Sequence, residues 1–257
     1  MNAASHPIGR WKLLIAYDGR PYQGWQSQPG GNTIQDHLEK VLQTISRQKV
    51  SVHGSGRTDA GVHADGQVAH FDAAVSPGLG PDSWRKALNS LLPPEIRVLS
   101  CEKCVNDFHA RFSAREKTYH YLIHNHEILP PRMAGLAWKV DRPLAIEALV
   151  ERARVFLGTH DFSGFSCNRG KSSPKPATTI RTITEFKVLR SGTHSIIVVA
   201  TGNGFLYKMV RCLVGALIDS AQKGASPKAL EQVLHHGRRD IPTCAPPDGL
   251  YLKRVVY

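Results

Sequence analysis

The stretch His53-Gly-Ser-Gly-Arg-Thr-Asp-Ala-Gly-Val-His63 is the most unusual in the chain. Three glycines in it surround one polar trio, Arg57-Thr-Asp59. Glycines at this density permit positive φ angles and let the backbone approach a ligand closely. A short strand pattern precedes the stretch, so we expect a loop at the end of a sheet, where functional sites are common. The glycine spacing fits neither a dinucleotide-binding fingerprint nor a P-loop.

The chemistry of this loop centres on one carboxylate, Asp59, beside the cation of Arg57. A neighbouring arginine favours the ionised form of a carboxyl group, and an oriented carboxylate acts as a nucleophile or a base. The sequence nearby offers no second carboxylate, so hydrolysis by paired carboxylates is not expected. The structural alternative is a hairpin loop in which Asp59 caps its own turn, but it leaves Arg57 unexplained.

The whole chain of 257 residues contains 33 Lys plus Arg and 21 Asp plus Glu, which gives a net charge of +12. Residues 1–128 contain 14 basic and 12 acidic side chains, and residues 129–257 contain 19 and 9. We therefore predict an N-terminal α+β half, 1–128, with the Asp59 loop, and a C-terminal α+β half, 129–257, with a basic surface. This asymmetry indicates nucleic acid first and an anionic membrane second as partner, and a basic protein with no such partner is the alternative.

Local patterns predict a mixture of helices and strands in both halves. Residues 11–17 alternate as a strand, and Thr33-Ile-Gln-Asp36 has the form of a capping box before a helix. Asp82 is the predicted cap of a second helix, and the apolar run 207–223 predicts a long buried one.

Cysteine usage and hydropathy exclude several classes of protein. Five cysteines are an odd number in a chain of this size, which favours reduced thiols in the cytoplasm over a disulfide framework. No stretch approaches 18 apolar residues, so we expect no membrane span. Cys101-Glu-Lys-Cys104 is a lone CxxC without a second pair at zinc spacing, so no metal site is expected.

The segment from Asn168 to Thr179 contains three cations and no apolar core residue. Such a composition is typical of a surface loop. We expect Lys171 and Lys175 to contact RNA there, and a solvated loop without a ligand is an equally good alternative.

The motif Gly54-Ser-Gly-Arg-Thr-Asp-Ala-Gly-Val-His-Ala64 resembles the catalytic motif of the tRNA pseudouridine synthase A family. Four further blocks resemble that family in its order and extend the likeness over nearly the whole chain. They are Tyr17-Asp-Gly19 with Gly24-Trp-Gln26, Phe108–Ala114 with Lys117–Tyr121, Phe205–Gly215, and Ala245-Pro-Pro-Asp-Gly-Leu-Tyr-Leu252. The segment from Gly164 to Arg181 departs from the pattern because the family has a shorter link there.

The resemblance implies the pseudouridine synthase fold, in which two α+β halves share an extended, mainly antiparallel sheet, with helices packed on it and a central active-site cleft. It implies an isomerase that converts uridine to pseudouridine at positions 38, 39 and 40 of the tRNA anticodon stem-loop. The base–ribose bond would break and re-form with no cofactor. It also implies a cytoplasmic homodimer.

The resemblance assigns roles to five residues. Asp59 would attack or deprotonate the ribose, and Arg57 would fill the gap left by the flipped uridine or hold its phosphate. Tyr119 would stack on the uracil, Arg211 would pair with Asp59, and Leu250 would pack against the base. Taking a base out of the stack costs a few kcal/mol, which a filling cation and a stacking ring would offset.

Two of these roles can be weighed against the residues alone. Tyr119 alternates with Tyr121 and Ile123 on one strand face, so packing is the alternative reading of that ring. Arg211 lies within an apolar helix and therefore needs a partner.

Two other functions compete with the isomerase. The first is a non-catalytic RNA-binding or RNA-folding protein, which has no need of an ionised aspartate in a cation-lined loop. The second is a metabolic enzyme that binds phosphate through the glycine loop, and it predicts tight nucleotide binding.

Overall fold

The computed structural model describes residues 7–74, 79–167, 177–236 and 243–257. The chain divides into two compact units, Met1–Ala114 with Leu252–Tyr257 (unit 1) and Arg115–Tyr251 (unit 2). The division predicted after residue 128 rests on charge and stays a prediction.

Unit 1 combines an antiparallel sheet with two helices. Its elements are β1 (Ile8–Tyr17), α1 (Ile34–Ser46), β2 (Val52–Gly54), β3 (His63–Ala74), α2 (Pro81–Leu91) and β4 (Ile96–Cys104). Strand β1 lies between β4 and β3, and β2 pairs with β3, all antiparallel. The last strand, β10 (Leu250–Val256), lies next to β3, and its residues from Leu252 onward belong to this unit.

The core of unit 1 follows from the alternation of β1. Every second side chain of this strand is buried, including Trp11 and Tyr17. Helix α2 covers the sheet with Trp84, whose ring centroid lies 6.0 Å from that of Trp11 and 5.2 Å from that of Phe71. Aromatic rings at these separations contribute attraction beyond the area they bury.

Helix α1 begins at the predicted capping box. The Asp36 backbone N–H donates to the Thr33 hydroxyl, and the Thr33 backbone N–H donates to the Asp36 carboxylate, each at 3.2 Å. The prediction for α2 is wrong in detail, because Gly80 is its N-cap residue and Asp82 lies within the first turn.

Unit 2 is also α+β. Its elements are β5 (Glu116–His124), β6 (Trp138–Lys139), α3 (Ile146–Ala153), β7 (Gly158–Asp161), β8 (Ile180–Arg190), β9 (Ser195–Gly202), α4 (Met209–Gln222) and α5 (Pro227–His236). The strand order is β5-β9-β8-β7 with antiparallel pairing, and β6 adds to β5 in parallel. The predicted α+β class with mainly antiparallel strands is confirmed for each unit.

Helix α4 is the buried helix that the apolar run predicts. Ten of its residues are buried, and Arg211 is half-buried near its start. Tyr119, Tyr121 and Ile123 are buried on alternate positions of β5, as their spacing predicts.

Candidate active site

The loop that carries Asp59 connects β2 to β3 in unit 1, at the end of the sheet. Asp59 is partly exposed, and its carbonyl accepts a hydrogen bond from the Val62 N–H at 3.1 Å, which closes a turn. Gly61 follows at φ 78°, a conformation that favours glycine. The loop therefore turns tightly directly after Asp59.

The segment that contains Gly24 and Trp25 packs closely against this loop. The Trp25 N–H donates to the Thr58 carbonyl at 3.0 Å. A Cβ atom on Gly24 would lie 2.6 Å from the same carbonyl, and one on Gly54 would lie 2.5 Å from the Trp25 indole. These glycines allow an approach that any side chain would block.

A buried polar network fixes the loop from the sheet side. Gln67 on β3 is fully buried, and its amide oxygen accepts from the Ser55 hydroxyl at 2.6 Å. Its amide nitrogen donates to the Gly56 carbonyl at 2.9 Å and lies 3.4 Å from the Tyr17 hydroxyl. The Tyr17 hydroxyl in turn lies 2.9 Å from that of Thr58. The residues on both sides of Arg57 are thus tied to strands β1 and β3.

Burial sets the protonation of this network. Removal from water raises the pKa of Tyr17 to about 12, although its bonds to Thr58 and Gln67 oppose that rise. The phenol is therefore neutral at physiological pH and keeps its proton for hydrogen bonding. Satisfied buried networks of this kind rigidify what they hold.

Arg57 is exposed, unlike its anchored neighbours Ser55 and Thr58. Its side chain is exposed, and its Nε donates to the amide oxygen of Gln26 at 3.0 Å. The Gln26 amide nitrogen donates to Gln35 on α1 at 2.7 Å. A bond to a neutral acceptor orients the guanidinium and costs little to exchange for a phosphate.

The other predicted site residues lie in unit 2. Tyr119 is 8% exposed, and its ring meets that of Phe205 edge to face, with centroids 5.2 Å apart. Leu250 is buried at the start of β10. The structure places Arg57 and Asp59 in one unit and Tyr119, Arg211 and Leu250 in the other.

Arg211 is anchored in the first turn of α4. Its Nε donates to the Ala245 carbonyl at 2.7 Å, and its own carbonyl accepts from the Ala245 N–H at 3.0 Å. The Tyr121 hydroxyl donates to the adjacent Pro246 carbonyl at 2.7 Å. Burial raises the pKa of Tyr121, and the charge of Arg211 opposes that rise, which places the cation close to β5. The Ala245 carbonyl is thus one partner of this arginine within unit 2, and its pairing with Asp59 stays a prediction.

Sequence reasoning missed the positioning roles of Tyr17, Gln26 and Gln67. Tyr17 and Gln26 belong to one of the family-like blocks, and Gln67 lies three residues beyond the motif Gly54–Ala64. Lys171 and Lys175 lie outside the residues that the structure describes. Within those residues, none of the helices has the length and hydropathy needed to cross a bilayer.

Comparison with known proteins gives consistent results over most of the chain. A family model described as tRNA pseudouridine synthase matches residues 13–113 and 153–257. A tRNA pseudouridine synthase A of Akkermansia muciniphila is 47% identical over 255 residues, which cover 96% of this chain and 95% of the relative. One of Chlamydia muridarum is 43% identical over 250 residues, covering 95% and 91%. One of Bacillus licheniformis is 40% identical over 251 residues, covering 96% and 99%.

Proposed function

The chain belongs to the tRNA pseudouridine synthase family, whose activity is the isomerisation of uridine to pseudouridine in tRNA, and we propose that Asp59 is the carboxylate on which this reaction depends. The observation that carries the proposal is the contrast within one loop. Ser55 and Thr58 are buried and hydrogen-bonded to the sheet, whereas Asp59, directly after Thr58, is partly exposed. A rigid support next to a reactive group that is not fully buried is what positioned catalysis requires.

The isomerisation changes the bond between uracil and ribose in two steps. The uracil must leave the ribose at N1, and it must return through C5. An ionised aspartate can attack the ribose or remove a proton from it, and both routes need the carboxylate fixed against the sugar. The network beside Asp59 supports either route, and neither route needs a redox or group-transfer cofactor.

Arg57 is proposed to act on the RNA while the target base is out of the stack. Its side chain is exposed, and the Gln26 bond is neutral, so the guanidinium can leave it for a phosphate or for the gap that the uridine vacates. Because the loop backbone stays anchored, this movement does not disturb Asp59. Base flipping costs a few kcal/mol, and a cation in the gap offsets part of it.

The unit 2 residues are proposed to receive the base. Tyr119 supplies a ring for stacking on the uracil, and Leu250 an apolar contact. That Arg211 keeps Asp59 ionised is an expectation from the family resemblance. Its test is a double-mutant cycle on the free energy of unfolding with Asp59→Asn and Arg211→Gln, in which coupled residues lose less together than the sum of the single losses.

The tRNA-binding surface, the modified positions and the oligomeric state are proposed from the charge distribution and the family resemblance. The net charge of +10 on residues 129–257 suits a polyanion, and we propose that this half, with Lys171 and Lys175, holds the anticodon stem-loop so that positions 38, 39 and 40 are modified. We further propose a cytoplasmic homodimer. Neutralising Lys171 and Lys175 should weaken tRNA binding and flatten its salt dependence without slowing the chemistry of bound RNA.

The central experiment compares Asp59→Asn with the matched change Asp65→Asn. Asp65 is also partly exposed on the neighbouring strand, where it pairs with Lys253 at 3.0 Å. Proton release from C5-labelled uridine in tRNA should vanish in Asp59→Asn and persist in Asp65→Asn, while both variants bind tRNA. Wild-type release by Asp59→Asn would contradict the role of Asp59, and tRNA binding without pseudouridine by the unmodified chain would favour an RNA-binding protein.

A further inference from the structure

Three cysteines that are distant in sequence meet in unit 2. The Sγ atoms of Cys167, Cys212 and Cys244 all lie within 4.8 Å of one another, and those of Cys167 and Cys212 are 3.8 Å apart. A disulfide bond measures about 2.05 Å, so Cys167 and Cys212 are reduced thiols here. The cluster lies outside the residues assigned to the isomerase reaction.

The backbone holds two of these thiols in place. Cys212 is fully buried on α4, which is anchored by its own helical bonds. The Cys167 N–H donates to the Tyr207 carbonyl at 3.1 Å, just before that helix. The Cys167 thiol is therefore set beside Cys212 by a main-chain contact and does not depend on a flexible side chain.

The third thiol is held by a close approach of its segment to the helix. Ala245, next to Cys244, exchanges hydrogen bonds with Arg211 at 2.7 and 3.0 Å. A Cβ atom on Gly215 would collide with the Thr243 carbonyl, so glycine at 215 lets this segment lie directly against α4. Three separate backbone constraints thus converge on one group of sulfur atoms.

We propose that Cys167, Cys212 and Cys244 form a three-thiolate binding site for a soft d¹⁰ metal ion, with Zn²⁺ as the representative ion. Thiolates select such ions over hard cations. Sulfur ligands at about 2.3 Å around a tetrahedral zinc lie about 3.8 Å from one another, which is the distance between Cys167 and Cys212.

Access to the site fits the same assignment. Cys167 and Cys244 are half-buried, whereas Cys212 is buried. An ion can enter from the exposed side, where water can complete its coordination. This inference departs from the expectation of no metal, because that expectation considered ligands close in sequence, and Cys167 and Cys212 are separated by 45 residues. The alternative is that the cysteines pack as small apolar side chains, which fill space without binding an ion.

The chain contains its own control pair, Cys101 and Cys104 on β4. Residues three apart on a strand point to opposite faces. Cys101 is buried, and the Cys104 thiol donates to the Arg10 carbonyl at 3.6 Å. This CxxC has the sequence spacing of a metal site without its geometry, so a Cys101→Ser/Cys104→Ser variant should bind as the unmodified protein does.

The experiment measures metal binding by the full-length reduced protein without reference to its activity. Zn²⁺ is titrated in competition with a chromophoric chelator, and Cd²⁺ is titrated separately to detect thiolate-to-metal charge-transfer absorbance. We expect one ion per chain and a charge-transfer band. Loss of an outer-shell partner costs metal sites roughly 10–100-fold in affinity, so Cys167→Ser and Cys244→Ser should each weaken binding at least that much.

Folding is checked by thermal melting without metal, and Cys167→Ser and Cys244→Ser are the primary variants because neither side chain is fully buried. Absence of the charge-transfer band in the unmodified protein would overturn the proposal. Equal binding by a Cys167→Ser/Cys244→Ser variant, or loss of binding in the Cys101→Ser/Cys104→Ser control, would overturn it as well. A Cys167–Cys212 disulfide found by mass spectrometry in a protein that binds no ion when reduced would also contradict it.

Discussion

Replacing Gln67 by leucine should separate the support of the Asp59 loop from the rest of the fold. Leucine fills a similar volume but offers no polar atom, so the Ser55 hydroxyl loses its 2.6 Å acceptor and the Gly56 carbonyl its 2.9 Å donor. A buried polar group that loses its partner costs about 1–3 kcal/mol. Gly56 is half-buried and water can reach it in part, so we expect the free energy of unfolding to fall by roughly 2–4 kcal/mol.

The effect on activity should exceed the effect on folding. Most of a free energy of unfolding of about 5–15 kcal/mol survives the change, so the protein stays folded. A displacement of a reactive group by about 1 Å can cost roughly 100-fold in rate, so kcat for pseudouridine formation should fall by about that factor while tRNA affinity is retained. Urea unfolding and single-turnover proton release from C5-labelled tRNA measure the two quantities.

Two controls make this prediction refutable. Gln43→Leu makes the same chemical change on the exposed face of α1 and should alter neither quantity. Tyr17→Phe removes the bonds at 2.9 and 3.4 Å and should cost about 1 kcal/mol, with a smaller loss of rate. If Gln67→Leu unfolds at the unmodified urea midpoint and turns over at the unmodified rate, the buried network does not position the loop.

Three further changes test contacts inside unit 1 or inside unit 2. Burial, and after it the charges of two neighbouring histidines, lowers the pKa of His70 to about 4. As the pH drops from about 6.5 to about 4, the unfolded chain therefore takes up this proton before the folded chain does, and the free energy of unfolding should fall by up to about 3 kcal/mol. His70→Gln should remove this pH dependence when unfolding is measured by calorimetry. Arg152 is buried and donates to the Ala225 carbonyl at 2.6 Å, so Arg152→Met should lower the free energy of unfolding by about 2 kcal/mol, and Arg152→Lys by less. Thr33→Ala should cost about 1 kcal/mol by breaking the capping box with Asp36, whereas Thr33→Ser should be nearly neutral in urea unfolding.

The features that the sequence predicted well are those decided by neighbours along the chain. The capping box joins Thr33 to Asp36, and both partners are visible in a window of four residues. The start of α2 shows the limit even there. Asp82 is a good capping residue by type, but Pro81 fixes the φ angle suited to the first helical position, so the helix starts before Asp82 with Gly80 as its cap.

The support of the loop could not be predicted because its partners are far apart in sequence. Gln67 meets Tyr17 across 50 residues, and Cys167 meets Cys212 across 45. Alternation along β3 predicts which face each side chain occupies, but not which polar groups will meet beneath that face. The family resemblance predicts a role for Asp59 from the residue types of one short motif, and it leaves the supporting residues without roles.

The two charged residues of the loop, Arg57 and Asp59, are held in different ways. This difference suits the proposed reaction, in which the base leaves the ribose and returns to it. The backbone on either side of Arg57 is held through buried hydrogen bonds of Ser55 and Thr58, and this restrains the backbone that leads directly into Asp59. The Arg57 side chain instead rests on the neutral amide of Gln26. Gln26→Glu would replace this neutral acceptor by a carboxylate, and the resulting ion pair should hold the guanidinium back from the RNA. We therefore expect Gln26→Glu to weaken tRNA binding or base flipping with little change in stability, and Gln26→Ala to leave both nearly unchanged. Equal tRNA affinity and equal turnover of Gln26→Glu and the unmodified protein would mean that Arg57 does not leave its resting position.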